Sequence, residues 1–70
     1  MSIRIKFGNH LKQLRKHNNL TQEKLSELAN MDRTYISDIE RGIKTISIEK
    51  LYQLSNAFNI ELWELLKFKD

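Results

Sequence analysis

Apolar side chains return every third or fourth position along most of the chain, and no stretch sustains an alternation of apolar and polar residues. That spacing fits the 3.6-residue turn of an α-helix and not the two-residue repeat of a strand. Proline is absent and the only glycines are Gly8 and Gly42, so little in the composition interrupts a helix. An all-α fold without strands is expected.

The stripes resolve into five short helices. Phe7, Leu11 and Leu14 stand at i, i+4 and i+7 and predict a first helix over about residues 5–17, stopped by Asn18 and Asn19. Thr21 is placed to cap a second helix whose buried face is Leu25, Leu28 and Ala29, with Glu23 in the first turn favourable to the helix dipole. Asn30 reads as a left-handed stop, Met31 as a core plug in the turn, and Asp32 as the cap of a third helix over about residues 33–41. Ile36 and Ile39 face inward there, and Gly42 ends it. Ser47 caps a fourth helix over about residues 48–58, with Ile48, Leu51, Leu54 and Phe58 as its stripe and Ile46 stapled across the cap. A fifth, at about residues 61–67, carries Leu62, Leu65 and Leu66.

Seventy residues make a single domain, 1–70, with a core at the lower limit of self-sufficiency. With no cysteine there are neither disulfides nor thiolate metal sites to staple it, so dimerisation is the expected source of further burial. No apolar run approaches the roughly 20 residues of a membrane span, and the amino terminus lacks the pattern of a secretory signal. A cytoplasmic protein with no membrane contact is expected. The charge is uneven: residues 1–20 hold Arg4, Lys6, Lys12, Arg15 and Lys16 and no acid, giving +5 against +3 for the whole chain, so the remainder is slightly acidic. Such a distribution suits a polyanionic partner.

The informative unit is Thr21–Gly42, TQEKLSELANMDRTYISDIERG, in which two short helices flank a turn of three or four residues. The segment resembles the lambda-repressor/Cro-like (XRE-type) helix-turn-helix family of bacterial and phage regulators. The resemblance rests on Leu20–Gln22, the Leu25–Leu28 spacing, Tyr35–Ser37 and Ile39–Gly42. Upstream, Gly8, Leu11, Leu14 and Arg15 fit the family's first helix, and downstream Ser47–Leu66 fit its last two. The run DRTYIS followed by IERG is especially similar to the restriction–modification controller proteins. The resemblance implies a compact five-helix lambda-repressor-like domain that binds double-stranded DNA in the major groove as a homodimer, on an inverted repeat with half-sites about 34 Å apart. It implies a transcriptional regulator in a bacterial or phage-encoded, nucleoid-associated setting. The controller likeness adds activation at one site, repression at another, and RNA polymerase as a further partner. With no effector segment in view, control is expected to come from protein concentration.

Helical geometry agrees with this assignment. With Ile36 and Ile39 inward at about 100° per residue, Thr34, Ser37, Asp38 and Arg41 turn outward, and Arg33 lies beside them at the helix start. Arg33, Thr34 and Ser37 carry the donors, acceptors and methyl group that base edges accept, with guanine the expected target of Arg33. Asp38 has two readings: acceptor from a cytosine amine, or orienting partner of Arg33 or Arg41. Gln22 resembles the family's phosphate-clamping glutamine, and Thr21 and the free N–H groups of its helix terminus belong to the same site. Arg41, and Lys44 and Thr45 in the following loop, are the other expected backbone contacts. Tyr35 either offers its hydroxyl to the DNA or packs its ring against the second helix. Glu40 lies about 40° from Ile36 and Arg15 follows Leu14, both at the edge of apolar stripes; in the resembled family these positions form a partly buried ion pair.

Asn19, Asn30 and Asn59 stand where the family often has glycine, and Trp63 where it usually has a polar residue. Trp63, Leu66 and Phe68, joined by Tyr52, are the candidates for the dimer contact; otherwise Trp63 covers its own small core. His10 and His17, without a cysteine, do not make a zinc site. No nucleophile elbow, paired acid or glycine-rich phosphate loop is present, so catalysis, cofactors and small-molecule ligands are not expected. The competing function is a protein-interaction module of the same fold, such as an antitoxin or anti-regulator, which would have no particular reason to carry Gln22 and Arg33.

Overall fold

The computed structural model describes residues 2–69 and contains five helices: α1 (Ile3–His17), α2 (Gln22–Ala29), α3 (Arg33–Glu40), α4 (Ile48–Ala57) and α5 (Leu62–Leu65). Each start is fixed by a side chain that satisfies an otherwise unpaired backbone N–H. Thr21 accepts from the Lys24 amide at 3.0 Å, Asp32 from that of Thr34 at 3.1 Å, and Ser47 from that of Lys50 at 3.2 Å. Ser2 does the same for Ile5, which moves the start of α1 two residues ahead of the expected one.

The stops are equally local. Asn19, Asn30 and Asn59 take left-handed backbone angles, with φ of 58°, 55° and 58°, in the turns that follow α1, α2 and α4. Asparagine tolerates this region better than most residues, because its short amide bonds locally. Gly42 has a φ of 75°, and a Cβ there would meet the Ile5 side chain at 2.7 Å, so the turn after α3 needs glycine for both conformation and space.

Every helix contributes to one core: Phe7 and Leu11, Leu25 and Ala29, Ile36 and Ile39, Leu54, and Leu65. The closest approach is between α1 and α3. A Cβ on Gly8 would lie 2.4 Å from the Ile39 carbonyl oxygen and 2.6 Å from that of Glu40, so the two helices touch through backbone. This contact sets α3 across α1 and leaves the opposite side of α3 free. Met31 packs against the core from the turn between α2 and α3.

Three sequence expectations change. Leu28 is 49% exposed, because the buried face of α2 centres on Leu25, Ser26 and Ala29 and Leu28 falls about 100° from Ala29. Ile48, in the first turn of α4, is also exposed. The fifth helix is one turn long, closed by a reciprocal cap in which the Glu61 amide donates to Glu64 Oε1 at 2.9 Å. It ends early so that Phe68 can fold back onto α1, with its ring 6.1 Å from that of Phe7 and 5.1 Å from His10. Among the described residues no helix is long and apolar enough to cross a membrane.

Candidate nucleic-acid interface

The bend between α2 and α3 is made by Asn30 in its left-handed conformation and by Asp32 capping the next helix. From it α3 emerges with Ile36 and Ile39 sealed in the core and with Arg33 and Thr34 exposed on its first turn. Ser37, one turn further on, is half-buried. The outer face of α3 thus begins with an exposed guanidinium and an exposed hydroxyl, followed by a half-buried hydroxyl.

Asp38 is not on that face. It is 8% exposed, and its carboxylate accepts from Arg41 Nη2 at 2.6 Å and pairs with Lys44 Nζ at 3.8 Å. The outward placement expected for Asp38 is corrected accordingly, while its alternative reading as a partner of Arg41 agrees with this bond. Its position three residues before Arg41 is the signal for this pairing. The Arg41 guanidinium stays largely exposed and uses one of its five N–H groups on Asp38, while Lys44 and Thr45 are exposed in the loop that follows.

At the other end of the motif, Thr21 accepts a backbone amide but keeps its own hydroxyl hydrogen for donation. Gln22 is half-buried, and its Nε2 donates to a Glu40 carboxylate oxygen at 3.0 Å. Glu40 also receives Arg15 Nε at 2.6 Å and Nη2 at 3.1 Å, while Arg15 Nη1 donates to the Leu20 carbonyl at 2.7 Å. One buried ion pair therefore fastens α1, the turn before α2, the first residue of α2 and the end of α3. The Gln22 branch of this network has no counterpart in the sequence pattern, since 18 residues separate the partners.

Tyr35 is half-buried against the core, and its hydroxyl donates to the Thr45 carbonyl at 3.3 Å, with the Lys50 ammonium 5.2 Å from its ring centre. Burial raises its hydroxyl pKa above the ordinary tyrosine value, so it is a neutral donor at physiological pH. Its hydroxyl ties the loop that carries Lys44 and Thr45 to α3.

The four residues expected at a dimer contact divide. Tyr52 and Trp63 are exposed, Trp63 at 64% with the Lys67 ammonium 6.0 Å from its ring centre, so Trp63 does not cover its own core. Tyr52 borders a depression of about 280 Å³ with Leu62 and Glu64. Leu66 is exposed but lines a separate apolar groove with Ile3, Phe7 and Leu51. Phe68 is half-buried, packs on Phe7 and His10 of its own chain, and lines the same groove as Leu66.

Two short capped helices in this arrangement, with a polar face on the second, define a helix-turn-helix, and the chain belongs to the helix-turn-helix family, whose pattern matches residues 11–65. Its relatives are DNA-binding transcriptional regulators and not enzymes. The chain is similar to the control protein C.BamHI of Bacillus amyloliquefaciens, 40% identical over 68 residues that span 96% of this chain and 84% of that one. The restriction–modification controller C.AhdI from Aeromonas hydrophila has a similar structure, with a TM-score of 0.86 and 39% identity over 89% of this chain and 94% of that one. So does the biofilm master regulator SinR in complex with DNA, with a TM-score of 0.80 and 31% identity over 87% and 98% of the two chains.

Proposed function

We propose that this regulator binds an inverted-repeat operator as a homodimer, laying α3 of each copy in the major groove, and that it controls the genes of a restriction–modification system. The observation that carries the reading is the division of α3, with Ile36 and Ile39 sealed inside and Arg33 and Thr34 exposed on the first turn. A helix enters the major groove by its amino-terminal end, where its side chains meet base edges. In this reading Arg33, Thr34 and Ser37 read bases, and Asp38 holds Arg41 and Lys44 toward the backbone. Thr21, Gln22, Arg41, Lys44 and Thr45 bind phosphates on either side, with Tyr35 bracing the loop. The restriction–modification assignment is supported by likeness to C.BamHI and C.AhdI. Contact with RNA polymerase follows from the same likeness, in a cytoplasmic, nucleoid-associated protein.

Selection of bound sequences from a random duplex pool tests the reading. A two-fold symmetric consensus with half-site centres about one helical turn apart is expected. Recovery of no consensus, or of one without symmetry, refutes it.

A further inference from the structure

Glu40 accepts three hydrogen bonds, two from Arg15 and one from the Gln22 amide. Its side chain is 2% exposed and that of Arg15 is 9% exposed, so their pairing belongs to the folded core. Gln22 is different: it is only half-buried, at the first position of α2, where water could hydrate its amide at little cost. The third bond therefore adds little to the fold, and what it does is fix one side chain at the edge of the interface.

We propose that Glu40 is a positioning residue for DNA binding, setting the rotamer and the amide orientation of Gln22 so that a phosphate meets an N–H. This rests on the reading of the α2 terminus as phosphate-facing. A glutamine amide has two hydrogens on Nε2 and a lone-pair oxygen, and a phosphate oxygen can only accept. An unrestrained glutamine samples orientations that present the oxygen, and it loses rotamer freedom when it binds. Beside a carboxylate the amide oxygen is repelled, so Nε2 faces Glu40 and spends one hydrogen there. The second hydrogen of the same nitrogen remains for the phosphate. Arg15 completes the device, because its charge offsets that of Glu40 and leaves the pair without net repulsion toward the backbone.

The test uses a duplex recovered by random-pool selection and synthesised with one neutral methylphosphonate at each backbone position in turn. Wild-type binding should weaken about five- to tenfold at the phosphate facing α2, and Gln22→Ala should reduce the sensitivity at that phosphate alone, leaving what Thr21 and the helix terminus contribute. The carboxylate is removed in the double variant Arg15→Met/Glu40→Met, which keeps the volume of the pair and leaves no buried charge uncompensated. It should show a reduction like that of Gln22→Ala at the same phosphate and retain full sensitivity elsewhere. Retention of the full effect there by the folded double variant overturns the proposal. If that variant does not fold, proton NMR of the Gln22 side-chain amide in the wild type decides. One amide proton hydrogen-bonded in the free protein, with the other shifting on addition of the duplex, is expected. Two free-amide signals before binding, or two signals that move together, overturn it. A wild-type protein indifferent to every methylphosphonate sinks instead the phosphate-facing reading beneath it.

Discussion

Arg15 and Glu40, 25 residues apart in sequence, meet in the core through two hydrogen bonds of 2.6 and 3.1 Å. Removing one partner leaves the other buried charge without a counter-ion, held only by a neutral group, the Gln22 amide for Glu40 or the Leu20 carbonyl for Arg15. Arg15→Ala should therefore destabilise the domain by about 3–5 kcal/mol, read as a lower urea midpoint. A double-mutant cycle with Glu40→Ala should show strong coupling; additive effects would exclude a working pair.

Gly8 is the point where α1 rests on the backbone of α3. Both obstructing atoms are backbone carbonyl oxygens that cannot swing aside. Gly8→Ala should cost about 1–3 kcal/mol through overpacking, outweighing the gain in helix propensity, and should tilt α3 enough to weaken DNA binding. An unchanged urea midpoint would show that the helices separate without penalty.

Arg33 is exposed on the first turn of α3, and the ion pairs found among the described residues do not involve it. Arg33→Ala should reduce affinity for the selected operator by about 1–3 kcal/mol and relax the preference at one base pair of each half-site. Repeating the selection with the variant checks this, and an identical consensus would remove Arg33 from base readout.

Lys44 stays exposed although it leans toward Asp38. If it binds a phosphate, Lys44→Ala should weaken binding to all sequences alike and flatten the plot of log K against log salt by about one unit for each phosphate it neutralises. A slope equal to that of the wild type would place Lys44 off the DNA.

Trp63 exposes most of its surface on a one-turn helix, with the ammonium of Lys67 nearby. An exposed indole is a large apolar area for one side chain to leave in water. Trp63→Ala should shift the monomer–dimer equilibrium toward monomer by about tenfold or more in analytical ultracentrifugation. An unchanged constant would move the interface elsewhere.

The sequence made the elements legible because their boundaries are written in single residues. Ser, Thr and Asp caps and three left-handed asparagines mark the ends of helices without any tertiary information. Positions whose fate depends on a neighbouring element were harder to read. Leu28 and Ile48 satisfy helical spacing yet face solvent, since spacing reports a stripe but not which element covers it. Asp38 follows the outward turn of α3 by angle, but the loop carrying Lys44 curls over it. The bond between Gln22 and Glu40 and the return of Phe68 to α1 join distant parts of the chain, and no local pattern encodes them.

The last helix has four residues, and Leu65 is its one fully sealed side chain. So short a helix cannot sustain itself in water and draws its order from whatever it touches. Should copies join through this end, consolidation of the carboxyl-terminal turn and pairing of the copies become one linked equilibrium. Dilution would then undo both together, and the onset of operator occupancy would be steeper in molecule number than docking of two preformed halves would give.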